Sequence, residues 1–340
     1  MTDVRKAIVE AASRWRHEEH PARVEACART LEADNRFTAE ALAFAVNQQM
    51  ELIDRESLDG WLGDGVSAPL DVGVIEAGNV PLAGLQDYLA VVGLGHRFIG
   101  SVSSRSPWLL PAFAEEAAAF GGPEAQFVDH DGLPEVVDAL IASGTDETIE
   151  HLTMVTDELG VPALLRGNRY SVAVVDGRES EDERLGLAED VLLHEGLGCR
   201  NVAIVFGAGD IDADPYFEAL SVFRGTFPAH ARTSGSLKMQ QAFLDAVNAP
   251  HAYGEGLVYL VSRGDAEPQV PGHLRWVPVD DVAGAELWIR DHEESLQVVS
   301  ARSGLDLRVP AERVALGEAQ RPTLDWHADG RDTVAWLRAL

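Results

Sequence analysis

Along the first 63 residues the apolar positions recur at the three-to-four spacing of amphipathic helices. The segments lie near Val4–Trp15, Val24–Leu31 and Thr38–Leu52, and the cluster Gly60-Trp61-Leu62-Gly63 closes them. This stretch carries no strand-like runs, so it predicts a helical lead-in. From Leu70 the pattern changes to short apolar runs alternating with helix-length segments. Val72–Ile75 precedes Leu82–Leu94, Phe98–Val102 precedes Trp108–Phe120, and Ala139–Ala142 precedes Thr145–Leu159. Strands spaced by roughly ten to fifteen residues of helical pattern are what right-handed βαβ crossovers require. A doubly wound parallel sheet is predicted.

A second series follows: the strand Ser171–Val175, the helix Asp182–Leu193, the strand Asn201–Phe206, then helices near Pro215–Phe223 and Ser236–Val247. The charge run Arg178-Glu179-Ser180-Glu181-Asp182-Glu183-Arg184 reads as a solvated helix start. Beyond Gly254 come short strands at Leu257–Val261 and Leu274–Val277, a helix near Ala283–Ile289, and a terminal loop rich in Pro, Gly and Asp. No internal repeat or low-complexity tract interrupts the series.

Composition narrows the function classes. With 340 residues and 46% apolar content, the chain can bury a large core, in two domains or one large α/β unit. Its longest apolar runs, Tyr88–Leu94 and Val202–Phe206, fall far short of the roughly 20 residues that cross a bilayer. The opening Met1-Thr2-Asp3-Val4-Arg5-Lys6 has no apolar core of a signal peptide, which predicts a cytoplasmic protein. Cys27 and Cys199 are too few for a disulfide framework, and no CxxC, HExxH or zinc-spaced Cys/His cluster is present, so no metal is expected. The net charge of −29 comes from 56 acidic against 27 basic residues, of which only Lys6 and Lys238 are lysine. Such a surface repels nucleic acid and anionic lipid. It also suits a protein kept soluble in concentrated salt, although codon bias alone also favours arginine over lysine.

Cys199 is the sharpest chemical candidate. It follows the turn signal Gly196-Leu197-Gly198 and precedes an apolar strand, which puts the thiol on a tight loop at a sheet edge beside Arg200, a cation that favours the thiolate. An inert buried cysteine fits the local sequence equally well. His194 reads as a packing or capping residue rather than a base.

Five segments occur in order. They are Ala77-Gly78-Asn79-Val80-Pro81-Leu82, Ser143-Gly144-Thr145-Asp146-Glu147-Thr148, Arg169-Tyr170-Ser171-Val172-Ala173-Val174-Val175, Gly196-Leu197-Gly198-Cys199-Arg200-Asn201, and a tail with Gln320-Arg321-Pro322-Thr323-Leu324 and Ala328-Asp329-Gly330-Arg331-Asp332-Thr333. Together they resemble the LuxC-type acyl-CoA reductase family, itself similar in fold to aldehyde dehydrogenases, over roughly residues 70 to 335. The resemblance implies a two-lobed α/β fold. Residues 1–160 would form the helical lead-in and a nicotinamide-binding lobe, joined by 300–340, and residues 161–300 a catalytic lobe, with the chemistry between them. It implies Cys199 as nucleophile and Asn79 as the side-chain donor of an oxyanion hole. Gly144 and Thr145 would face the cofactor pyrophosphate at a helix start.

Where the family places a cofactor-contacting lysine, Ser101 stands, and Arg105 in Ser103-Ser104-Arg105 offers a cation to a phosphate instead. The implied cofactor is NADPH, with NADH as the alternative. The implied substrate is acyl-CoA or another acyl thioester, and a homodimer is a further expectation. Leu164-Leu165-Arg166-Gly167-Asn168 lacks the water-activating glutamate of aldehyde-oxidising relatives, which favours thioester reduction to a fatty aldehyde. Trp326 and His327 are expected near an acyl or CoA channel. The rival readings are a CoA-acylating aldehyde dehydrogenase, an acyl-carrier-protein reductase, and a non-catalytic binding protein on a retired reductase fold.

Overall fold

The computed structural model describes residues 2–340, so Met1, part of the N-terminal reading above, lies outside the described residues. Four helices open the chain: α1 (Thr2–Trp15), α2 (Pro21–Glu32), α3 (Ala39–Leu52) and α4 (Arg55–Leu62). Sequence periodicity located the first three. The fourth holds the Gly60–Leu62 cluster inside it; Asp54 caps its start by accepting from the Ser57 N–H, and Gly63 ends it at φ 50°.

The alternating region then gives β1 (Asp71–Ile75), α5 (Leu85–Leu94), β2 (Arg97–Ser101), α6 (Leu109–Ala119), β3 (Gln126–Phe127), β4 (Ala139–Ser143), α7 (Asp146–Leu159) and β5 (Ala163–Arg166). These strands form one parallel sheet in the order β3-β2-β1-β4-β5. Continuous apolar runs such as Val72–Ile75 are buried because helices cover both faces of such a sheet. Its core is built around Trp15, Tyr88, Phe98 and Phe113, whose rings meet edge to face at 5.1 to 6.3 Å.

From β6 (Tyr170–Val175) onward a second sheet assembles: α8 (Glu181–Leu192), β7 (Val202–Ala208), α9 (Asp214–Thr226), α10 (Thr233–Ala246), β8 (His251–Tyr253), β9 (Leu260–Arg263), β10 (His273–Val279), α11 (Val282–Asp291), β11 (Leu296–Ala301) and β12 (Arg313–Val314). The order is β12-β11-β6-β7-β10-β9-β8, parallel except for the β8–β9 pair. The chain ends with α12 (Thr333–Ala339), which packs on α5.

Two compact units result. The first comprises residues 1–35, 42–168 and 323–340; the second comprises 36–41 and 169–322. The switch falls at Asn168 rather than 160 because β5 pairs with β4 and so stays with the first sheet. The C-terminal crossing falls at 322/323 rather than 300 because β11 and β12 belong to the second sheet. The stretch expected to be a terminal loop therefore contains the interior strand β11, the short edge strand β12 and a closing helix. In the charge run, Ser180 and Glu183 form a reciprocal capping box that starts α8, as a solvated helix start requires. Glu179 departs from that reading: it is buried, accepts the Asp176 and Gly177 N–H groups, and receives the Tyr216 hydroxyl. Among the described residues no helix is long and apolar enough to cross a membrane.

Candidate active site

In the first sheet the chain steps from β1 out through β2 to β3, then returns across β1 to β4 and β5, so its direction reverses between β1 and β4. In open parallel sheets, ligand crevices lie outside the carboxyl ends of the strands at such a reversal. Asn79, Ser103, Arg105, Gly144 and Thr145 all leave strands at this edge, after β1, β2 and β4. The loops after β1 and β2 touch. A Cβ on residue 78 would fall 2.0 Å from Ser103 Oγ and 3.1 Å from Arg105 Cβ, so glycine is required for the approach.

Arg105 is exposed; its N–H donates to Ser103 Oγ (3.3 Å), and its carbonyl accepts from Asn35 Nδ2 (2.9 Å). The Gly144 N–H donates to the Arg166 carbonyl (3.1 Å), and Thr145 Oγ1 caps α7 by accepting from the Thr148 N–H (3.3 Å). Those two groups are therefore committed to strand and cap bonds. The exposed Arg105 and the first-turn amides of α7 are what this edge offers a phosphate, although Asp146 and Glu147 in that turn compete with it. The direction reversal, the glycine-permitted approach and the exposed guanidinium fit a dinucleotide. Ser101 is buried at the end of β2, and its carbonyl accepts from the Glu76 N–H.

The second sheet reverses between β6 and β11. At its carboxyl edge Asp176, just after β6, and Arg302, just after β11, pair in a bidentate arrangement at 2.8 and 2.6 Å. The cysteine lies at the opposite edge, before β7. There the backbone turns through three successive left-handed residues, His194 (φ 54°), Glu195 (φ 59°) and Gly196 (φ 72°). Two of them carry side chains, which strains the turn. Buried partners hold it in place: Glu195 accepts from Arg224 Nη1 at 2.8 Å and from the Thr233 hydroxyl.

His194 is buried, its Nδ1 has no partner among the described residues, and burial pushes its pKa down to about 4, so it is a neutral packing residue. Cys199 is half-buried at the tip of the following turn, and its carbonyl accepts from Ser171 Oγ at 3.0 Å. The Arg200 guanidinium turns inward: Nε donates to the Ala319 carbonyl, and Nη1 lies 3.8 Å from Glu312 Oε1. Burial lowers its pKa, against the pull of Glu312 first and Cys199 second.

Several site-edge residues were not legible in the sequence. Asn201 Oδ1 accepts from the Gly198 N–H (2.8 Å), while its Nδ2 donates to the carbonyls of Leu193 (2.8 Å) and Asp190 (3.0 Å). Asp190, buried on α8, accepts from the Gly317 and Ala319 N–H groups and from Ser300 Oγ. Burial raises its pKa to about 7, opposed by those donors. At the other edge Glu76 is buried against Gly84 with Oε1 unpartnered, and burial first and the Asp87 charge second push its pKa up to about 8. A carboxylate at the end of an apolar strand reads in sequence as an exposed loop start, and only the packing shows otherwise. Trp326 and His327 belong to the first unit, where the Leu324 and Trp326 carbonyls accept from Gln86 Nε2. Among the described residues no group of three or more His, Cys, Asp or Glu side chains is placed to hold a metal ion.

No sequence-family model matches the chain, and no curated protein does. Solved structures do match in fold. An oxidoreductase from Marinobacter aquaeolei superposes with a TM-score of 0.74 at 13% identity, covering 97% of this chain and 81% of its own. A succinic semialdehyde dehydrogenase from Streptococcus pyogenes, in complex with NADP+, gives 0.68 at 12% identity, covering 93% and 82%. An NAD-dependent benzaldehyde dehydrogenase from Corynebacterium glutamicum gives 0.69 at 14% identity, covering 92% and 80%. The chain has the aldehyde-dehydrogenase-like α/β fold expected from its sequence.

Proposed function

We propose that this chain is a nicotinamide-dependent acyl-CoA reductase in which Cys199 accepts the acyl group. The observation that carries the reading is the setting of Cys199: a half-buried thiol on the turn that directly follows a strained, side-chain-braced one and precedes a central strand. An inert structural cysteine needs no such bracing, whereas a nucleophile must be held in one attack geometry. Support comes from the first unit, where the loops after β1 and β2 meet closely at Gly78 at the sheet reversal, while in the second unit Asp176 and Arg302 pair at the corresponding edge.

In this reading Cys199 Sγ attacks the thioester carbonyl and CoA leaves as the thiol. The Cys199 N–H and the Asn79 amide are assigned the developing oxyanion, one such donor being worth about 3 kcal/mol of barrier. The nucleotide, when bound, supplies the hydride. Arg105 and the start of α7 beside Gly144 and Thr145 are assigned to its phosphates, and Arg105 favours NADPH over NADH. Leu165, with its neighbours, offers no carboxylate to activate water, so the acyl-enzyme is kept from hydrolysis to the acid.

The test is intact-mass measurement after incubation with acyl-CoA and no cofactor: one acyl mass on wild type and none on Cys199→Ala. NADPH and NADH oxidation is then followed with acyl-CoA and acyl-carrier-protein donors. A chain that is never acylated, or a Cys199→Ala variant that still turns over, refutes the proposal.

A further inference from the structure

The Cys199 turn is held by a residue to which no role has been given. The Asn201 backbone N–H donates to the Gly198 carbonyl at 3.0 Å, while its side-chain Oδ1 accepts from the Gly198 N–H at 2.8 Å, so both polar groups of Gly198 are bound by one residue. The same side chain reaches the other way, donating from Nδ2 to the carbonyls of Leu193 at 2.8 Å and Asp190 at 3.0 Å. It is buried, and it ties the end of α8, the strained 194–196 turn and the cysteine loop into one ring.

The geometric consequence falls on one atom. The peptide between Gly198 and Cys199 is planar and trans, so the Cys199 N–H points opposite to the Gly198 carbonyl. Fixing that carbonyl fixes the direction of the N–H. The next peptide is fixed as well, because the Cys199 carbonyl accepts from Ser171 Oγ, which itself accepts from the Val298 N–H at 3.2 Å in β11. The Gly198–Cys199 peptide is therefore held by the Asn201 backbone N–H, which the Asn201 side chain anchors through Gly198, Leu193 and Asp190, and the following peptide is held by the Ser171 side chain.

We propose that Asn201 is the positioning residue of the Cys199 site, holding the Gly198–Cys199 peptide so that the Cys199 N–H is aimed at the acyl oxygen when its charge develops. Asn201 touches no substrate; it acts through the backbone donor. This rests on the reading of Cys199 as an acyl acceptor. A donor that moves away costs about 10²–10³ in rate when the reaction passes through an oxyanion, and nothing when it does not. The two kinds of sulfur chemistry separate the roles. Acylation by a thioester builds negative charge on oxygen, whereas alkylation by iodoacetamide displaces iodide at carbon and builds none.

The experiment measures both rates at Cys199 by intact mass in wild type, Asn201→Asp, Asn201→Ala and Ser171→Ala. Asn201→Asp keeps the acceptor for the Gly198 N–H but loses the two donors, and Ser171→Ala releases the Cys199 carbonyl and the Val298 N–H. The expected result is an acylation rate down about 100-fold in the Asn201 variants, alkylation within about threefold of wild type, and kcat falling with KM nearly unchanged. Ser171→Ala, which leaves the Asn201 ring intact, should show a smaller loss of the same kind, and Asn201→Asp, which keeps the bond to the Gly198 N–H, is the deciding variant if Asn201→Ala does not fold. Equal losses of both rates would mean general collapse of the loop and overturn the proposal, as would acylation at the wild-type rate. If wild type alkylates but never acylates, the acyl-acceptor reading itself fails; if wild type acylates and the variants match it, only the positioning role fails.

Discussion

Asp87, in the first turn of α5, and Arg166, at the end of β5, form a bidentate ion pair at 2.8 and 3.0 Å, with both side chains almost wholly buried. Arg166 also receives support from Thr333 Oγ1, to which it donates at 2.7 Å, so the pair ties α5, β5 and α12 together within the first unit. Breaking one member leaves the other charge in a low-dielectric interior, where the penalty is about 3–5 kcal/mol. Asp87→Ala should therefore lose stability on that scale in urea titration. The paired replacement Asp87→Leu with Arg166→Met should lose far less, since it removes both charges. Equal losses in the two would show that the charge is not what matters.

That pair also shows why parts of the fold were hidden in the sequence. β5 is four residues, Ala163-Leu164-Leu165-Arg166, ending in an arginine whose partner lies 79 positions earlier, and no local pattern announces such a partner. In β11 Gln297 and Ser300 interrupt the apolar run, so the local pattern points to a loop; both are buried, and Ser300 donates to Asp190, 110 positions away. By contrast β1, β4, β6 and β7 have unbroken apolar runs and were located to within a residue or two, as strands buried on both faces should be. The candidate residues Asn79, Gly144 and Cys199 came from motif order. The groups around them, Glu76, Asp190 and the side chain of Asn201, depend on packing between distant segments.

The two sheets make opposite predictions for nucleotide binding. A side chain at residue 78 would displace the Ser103 loop at the first crevice. At the second, Asp176 and Arg302 already bind each other. Gly78→Val should raise the NADPH dissociation constant at least about tenfold, equivalent to about 1.4 kcal/mol, by nucleotide fluorescence. Arg302→Leu should leave it within about twofold. The reverse pattern would move the cofactor to the second sheet.

Glu76 predicts a pH dependence of stability. Its folded pKa of about 8 lies above the ordinary value of 4.5, raised by burial and then by the Asp87 charge. Below about pH 4.5 the group is protonated in both states and contributes no difference. Between 4.5 and 8 the unfolded chain releases the proton while the folded chain keeps it, so unfolding stability falls as pH rises, by about 1.4 kcal/mol per pH unit for one proton. Above 8 both states are ionised and the cost is constant. Glu76→Gln, which cannot ionise, should remove this slope, so the variant should gain on wild type steadily from pH 5 to 8 in denaturant titrations. Parallel curves for the two proteins would count against a neutral buried carboxyl.

The surface charge makes a last prediction, and the buried pairs sharpen it. A net charge of −29 on one chain repels itself across the surface, and that repulsion is screened as the Debye length falls from about 10 Å at 0.1 M salt to about 3 Å at 1 M. Asp87–Arg166 and Glu195–Arg224 have side chains less than a tenth exposed, so salt does not reach them and they keep their attraction. Added KCl should therefore raise the melting temperature, with most of the rise complete well below 1 M because screening saturates. A gain that instead grows steadily to several molar, and is reproduced at equal concentration by sucrose, would come from exclusion of the cosolute from the surface rather than from charge. No gain in KCl would mean that the acidic excess imposes no repulsive cost on this fold, and the salt-adapted reading of the composition would fall with it.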